Sequence, residues 1–161
     1  EFRRVLFRSM SLLKGVKNTT IIDDTYNSSP ESVISALDTL AEFGAMRRIA
    51  VLGDMLELGG YTEEGHREAG RKAAKTVDLL FLVGDKVAFT EEEAKKCGMK
   101  DNQIKRFATS DDAKKEIEFA LQEGDLILIK GSQGMRMEKI VVEIMAEPNR
   151  ASELVVRQGE E

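Results

Sequence analysis

A single cysteine, Cys97, and a single histidine, His66, set the first limits on what this chain can be. One cysteine leaves no partner for an internal disulfide, as expected of a chain from a reducing cytoplasm. With one histidine beside it, no His/Cys metal cluster is expected. No apolar run nears the roughly 20 residues a membrane-spanning helix needs. The 24 basic residues are outnumbered by 29 acidic ones, for a formal net charge of −5. The basic face that nucleic acid requires is therefore not expected. Two nucleotide signatures are missing as well: the chain has no G-x-x-x-x-G-K-[ST], and no G-x-G-x-x-G follows its first strand-like run. The chemistry is left to carboxylates, lysines, hydroxyls and backbone amides.

What is present reads as one ordinary globular domain. The 161 residues are 42% hydrophobic and 33% charged, enough for one core. Strand-like runs fall at 19–23, 48–54, 78–84, 104–108 and 125–131. Each is continuously apolar rather than alternating, as in strands covered on both faces. Between them lie helical stretches at 30–42, 62–76 (Thr62 as N-cap, Gly65 as its weak point), 86–97, 110–122 and 135–146. The alternation predicts a doubly wound α/β domain, a mostly parallel Rossmann-like sheet with helices on both faces. Residues 1–9, "EFRRVLFRS", are unlike the rest and read as a non-native leader; 10–147 form the domain, and 148–161 a loose tail.

In such sheets ligands bind beyond the carboxyl ends of the strands. There the chain places Asp23, Asp24, Thr25, Tyr26 and Asn27, then Asp54 and Glu57 in "VLGDMLELGG", then Lys130 and Ser132 in "IKGSQGMRMEK". The first group is a turn rich in Asp and Asn, a receptor for ribose hydroxyls, or a Mg²⁺ site. The second is a flexible loop, or a pair of carboxylates that meets an ammonium group. The third is a glycine-rich connection, or an anion site on helix amides assisted by Lys130. His66 reads as a surface histidine without a positioned partner. No complete catalytic set is visible, so the residues alone favour a binding domain.

Taken in order, "IIDDTYNSSPES", "AVLGDMLELG", His66 and "KGSQGMRME" resemble the C-terminal third of a Mur ligase, in the branch that adds D-alanyl-D-alanine. The resemblance covers about Met10 to Ala146. It implies an ATP-dependent carboxylate–amine ligase of peptidoglycan precursor synthesis. Such an enzyme joins D-alanyl-D-alanine to UDP-N-acetylmuramoyl-tripeptide through an acyl phosphate, with ATP and Mg²⁺ bound by the full-length protein. It also implies a sheet with one antiparallel strand, a cytoplasmic monomer, and a domain that supplies the dipeptide site and closes over ATP. Without the central phosphate-loop domain this chain is expected to be inactive alone and to bind no cofactor. By the resemblance, Asp24, Tyr26 and Asn27 face the nucleotide, and Asp54, Glu57, Lys130 and Ser132 face the dipeptide or acyl phosphate. Two departures stand out: the family's Gly-Arg before the domain is absent, and "NSSP" replaces its frequent "NANP". The competing reading is a receiver-like phosphoacceptor domain, with Asp23/Asp24, Asp54 and Lys130 as its acidic pair, acceptor and lysine.

Overall fold

The computed structural model describes residues 10–155 in full and the backbone of 4–7. Seven strands form one sheet: β1 (Arg4–Phe7), β2 (Met10–Lys14), β3 (Thr20–Asp24), β4 (Arg48–Gly53), β5 (Leu79–Val83), β6 (Ile104–Phe107) and β7 (Leu126–Lys130). Their order is β1-β2-β3-β7-β4-β5-β6. From β3 to β6 all neighbours are parallel, whereas β2 runs antiparallel to both β1 and β3. The doubly wound α/β fold is the one the alternating runs predict. Met10–Lys14, which sequence reading left unassigned, is the antiparallel strand, and Arg4–Phe7, within the expected leader, pairs with it. The remainder of residues 1–9 lies outside the described residues.

Among the described residues, six helices cover the sheet: α1 (Pro30–Glu42), α2 (Thr62–Thr76), α3 (Val87–Lys96), α4 (Ser110–Ala120), α5 (Glu138–Ile144) and α6 (Ala151–Leu154). The period-two alternation of a strand divides the core in two. Ile22, Ala50, Leu52, Leu80, Leu82 and Leu128 pack with α1, α2 and α3. Ile21, Ile49, Val51, Phe81, Ile127 and Ile129 pack with α4, α5 and α6. Both faces are therefore dry, and this is why the strand runs are unbroken in hydropathy.

Local chemistry explains the helix ends. Ser29 and Ser32 form a reciprocal capping box at the start of α1, with Pro30 at its first position, where a missing N–H costs nothing. Helix α2 differs from expectation: its cap is Tyr61, and the Thr62 hydroxyl donates instead to the carbonyl of Gly59 at 2.7 Å. Helix α5 is shorter than the predicted 135–146, because Arg136 takes a left-handed conformation at φ 54° and interrupts it. The segment after Pro148, expected as a loose end, contains α6, and Leu154 is buried with Leu13 and Met145 in the second core. Residues 156–161 of that expected tail lie outside the described residues.

Gly65, expected as a weak point of α2, lies where a Cβ would meet Pro30 at 2.7 Å. One turn further, a Cβ on Gly70 would stand 2.4 Å from the carbonyl oxygen of Thr90 in α3. Overpacking against backbone costs about 1–3 kcal/mol, more than the ~1 kcal/mol that alanine gains over glycine in a helix. Gly70→Ala is therefore expected to lower the urea midpoint of unfolding, and an unchanged or raised midpoint would show that α2 and α3 can separate freely.

Candidate functional site

Loops that follow three adjacent strands, β3, β7 and β4, enclose a cleft of about 710 Å³ at the carboxyl edge of the sheet. The β3–α1 loop and the first turn of α1 line it with Asn27, Ser28, Ser29 and Ser32; the β4–α2 loop adds Leu56 and Glu57; the β7–α5 loop adds Ser132, Gln133 and Arg136. The Ser28 hydroxyl is buried without a hydrogen-bond partner, so this wall has unused bonding capacity. Glu57 and Arg136 are both exposed and both left-handed, at φ 64° and 54°. Their opposite charges stand on different loops, and the Arg136 guanidinium also pairs with Glu138 at 3.6 Å.

Beneath the cleft, Asp24 and Lys130 end neighbouring strands in direct register. The Lys130 ammonium donates to Asp24 Oδ2 and to the Asn27 carbonyl, both at 2.8 Å. Both side chains are buried, at 2% exposure for Lys130 and 6% for Asp24. Burial pushes the Lys130 ammonium below the usual lysine range, and the Asp24 carboxylate opposes that shift. Lys130, expected at the dipeptide or acyl phosphate, is buried here and ties the β3–α1 loop to β7. Beside it, the Thr25 hydroxyl donates to Asp23 Oδ1 at 2.8 Å.

Asp54 is also turned inward. Its carboxylate accepts the N–H of Val87 at 2.9 Å and of Asp85 at 3.2 Å, at the positive end of α3 where a carboxylate is favoured. Gly84, at φ 118°, leaves room for it, since a Cβ there would meet the carboxylate at 2.4 Å. Of the predicted substrate residues, Glu57 and Ser132 line the cleft, whereas Asp54 and Lys130 support it. Of the predicted nucleotide residues, Asn27 lines it, Asp24 lies below it, and Tyr26 is half-buried outside the lining set. Ser132 has a second task, because its hydroxyl accepts the Leu56 N–H at 2.9 Å and joins two of the loops.

Sequence reading missed Arg136 and misplaced His66. Arg136 stands in the quoted "GMRME", but nothing in that string reports a left-handed backbone. His66 is fully buried rather than on the surface. The available signal was its place on the α2 stripe with Ala69, Gly70 and Ala73, all buried.

Among the described residues, no group of three or more His, Cys, Asp or Glu side chains is arranged to hold a metal ion. The donor set does not fit a resident Mg²⁺: among the described residues Asp23 and Asp24 have no third carboxylate or histidine grouped with them, and the Lys130 ammonium already sits on Asp24 Oδ2. No helix among the described residues is long and apolar enough to cross a membrane.

A polar cleft at a strand-order switch of an α/β sheet is where domains of this class bind small ligands. The chain belongs to the Mur ligase, glutamate ligase domain family, which it matches over residues 10–133. It is 35% identical over 143 residues to the UDP-N-acetylmuramoyl-tripeptide–D-alanyl-D-alanine ligase of Bacillus subtilis, covering 86% of this chain and 31% of that protein. The same enzyme of Synechocystis is 32% identical, over 81% of this chain and 28% of its own length. Among solved structures, the MurF ligase of Thermotoga maritima in complex with ADP superposes with a TM-score of 0.67 at 25% identity, covering 81% of this chain and 28% of that one. A MurF structure from Acinetobacter baumannii shares the fold, with a TM-score of 0.72 at 24% identity over 87% of this chain and 31% of that one. The chain therefore spans about three tenths of the curated relatives it matches. Family membership sets aside the receiver-like reading, and so does Asp54, whose carboxylate is bonded inward rather than presented to a phosphodonor.

The buried pair makes a double substitution more benign than a single one. Lys130→Met leaves Asp24 charged and buried, which costs about 3–5 kcal/mol. Lys130→Met with Asp24→Asn is expected to recover more than half of that loss, as read by urea denaturation of the four chains of the cycle. Additive losses would show that the two groups do not interact.

Proposed function

We propose that this chain is the C-terminal domain of a D-alanyl-D-alanine-adding ligase, and that its cleft receives the dipeptide while its β3–α1 loop meets ATP. The observation that carries this reading is that Glu57 and Arg136, of opposite charge and on different loops, line one cleft in a member of this family. D-Alanyl-D-alanine is a small zwitterion. Glu57 suits its ammonium and Arg136 its carboxylate, a charge-assisted arrangement stronger than neutral hydrogen bonding. The serine wall, with its unpartnered Ser28 hydroxyl, suits the polar middle of the dipeptide. Sequence similarity to UDP-N-acetylmuramoyl-tripeptide–D-alanyl-D-alanine ligases supports the choice of substrates. The ADP in the Thermotoga relative supports an adenine nucleotide as the second ligand, and in this reading it lies near Asp24 and Asn27.

In this reading the reaction takes place in the cytoplasm of a bacterium, in a monomeric enzyme. The other part of that enzyme binds the UDP-linked tripeptide and the phosphates of ATP with their Mg²⁺, and carries out the phosphoryl step. This domain then presents the dipeptide amine to the acyl phosphate. Lys130 acts at one remove: it fixes Asn27 and Asp24 and touches no substrate.

The test is a chimera in which this chain replaces the corresponding C-terminal segment of the Bacillus relative, assayed by ADP release. Glu57→Gln and Arg136→Ala are each expected to raise the KM for D-alanyl-D-alanine about 10-fold or more, the weight of one charged hydrogen bond, with the KM for ATP little changed. Asp24→Asn, which keeps a hydrogen-bonding partner for Lys130, is expected to raise the KM for ATP instead. Normal dipeptide KM in both cleft variants would overturn the assignment.

A further inference from the structure

Three consecutive residues of the β4–α2 loop are each held by a different element. Asp54 is bonded through its carboxylate to the turn before α3. The Met55 N–H donates to Nε2 of His66 in α2 at 3.0 Å. The Leu56 N–H donates to the Ser132 hydroxyl of the β7–α5 loop at 2.9 Å. The next residue is Glu57, left-handed and exposed at the cleft lip.

The histidine contact determines the protonation state of the ring. His66 Nδ1 lies 2.6 Å from the Thr62 carbonyl oxygen, which can only accept. Nδ1 therefore carries the proton, and Nε2 is left to accept from Met55. Only the neutral Nδ1–H imidazole satisfies both bonds. The residue is fully buried, and the Thr90 hydroxyl of α3 donates to its backbone carbonyl at 2.9 Å, so backbone and ring are both bonded to the protein.

We propose that His66 is a positioning residue of the cleft: its neutral ring holds the β4–α2 loop and thereby aims Glu57 at the amine of the incoming substrate. The inference rests on the reading that the cleft receives an amine, but its first consequence, the held loop, does not. A second proton on the ring would set Nε2–H against the Met55 N–H and release that end of the loop. Burial lowers the imidazole below its ordinary 6.5; the bond to the Thr62 carbonyl and the Asp54 carboxylate of the loop oppose that shift without cancelling it, and the Lys86 ammonium before α3 adds to it. With the folded value depressed, the contribution of the ring to stability is fully present above about pH 6.5 and declines as pH falls through that value toward the folded one.

The chain has one histidine, so its ring signals are unambiguous. Long-range ¹H–¹⁵N spectra of the labelled chain at neutral pH are expected to show the Nδ1–H tautomer, and the Nε2–H tautomer would overturn the proposal. In His66→Ala, hydrogen-exchange protection of Met55 and Leu56 is expected to fall about 10-fold, one hydrogen bond's worth, with the amides of β5 and β7 unaffected. His66→Gln, whose amide oxygen stands where Nε2 does and does not titrate, is expected to recover most of that protection and to lose the acid-side decline seen in the parent chain. Should the alanine chain fail to fold, the parent and glutamine chains decide alone, and identical acid-side behaviour in those two sinks the idea.

In the ligase chimera, His66→Ala is expected to raise the KM for D-alanyl-D-alanine about 10-fold while kcat changes less, and His66→Gln to restore most of it. A parent chimera that responds to dipeptide while His66→Ala leaves its KM unchanged overturns this inference. A parent chimera with no response to dipeptide overturns the ligase reading alone.

Discussion

The ion pair between Lys130 and Asp24 is the constraint on which the cleft depends. Strands covered on both faces have no room for polar side chains along their length, so polarity is concentrated where they end. Asp24 and Lys130 end their strands side by side, out of contact with solvent. A buried ammonium is tolerated only when its charge and its donors are both answered. Asp24 answers the charge, and the Asn27 carbonyl takes a second N–H. Because that carbonyl belongs to the loop that starts α1, the pair also determines where the serine wall stands relative to β7.

Above this floor the polar residues divide by task. Asp54, His66 and Lys130 spend their bonding capacity on the protein, each holding a loop or a helix start. Glu57, Arg136 and Asn27 are exposed at the rim. The two rim charges also occupy left-handed backbone, which costs a non-glycine residue of order 1–3 kcal/mol. Such strain persists only where the surroundings enforce it, and the hydrogen bonds to Met55 and Leu56 immediately before Glu57 are the enforcing contacts on that side.

The central architecture could be read from the chain because each layer has its own period. The unbroken apolar runs reproduce β3 through β7 with ends shifted by one residue or so, and the predicted 30–42 and 62–76 coincide with α1 and α2. Strand β2 escaped notice because "MSLLK" pairs antiparallel and no helical stretch separates it from β3, so it breaks the strand–helix alternation, and it follows residues that resemble nothing in the domain. The carboxyl-edge location of the site was equally readable, but the direction of each side chain was not. Asp54 and Glu57 are carboxylates three residues apart in one glycine-rich loop, yet one points inward and the other lies at the rim. The difference arises from α3 and Gly84, some thirty residues downstream. His66 was misread for a related reason: its flanking charges suggest a surface, whereas the small residues one and two turns away mark a buried face.

Strand β7 sits between β3 and β4 although it follows them in the chain by a long interval, with Lys130 standing 106 residues beyond Asp24. On a ribosome, β3 and β4 would emerge as neighbours with a strand-wide gap between them, each with an unpaired inner edge. Pairings of such sequence separation close slowly, and open strand edges invite wrong partners meanwhile. The middle of the sheet, and with it the floor of the cleft, is thus the last part of the β3–β7 core to be synthesised. An incomplete chain ending before Leu126 would expose both edges and carry no site at all.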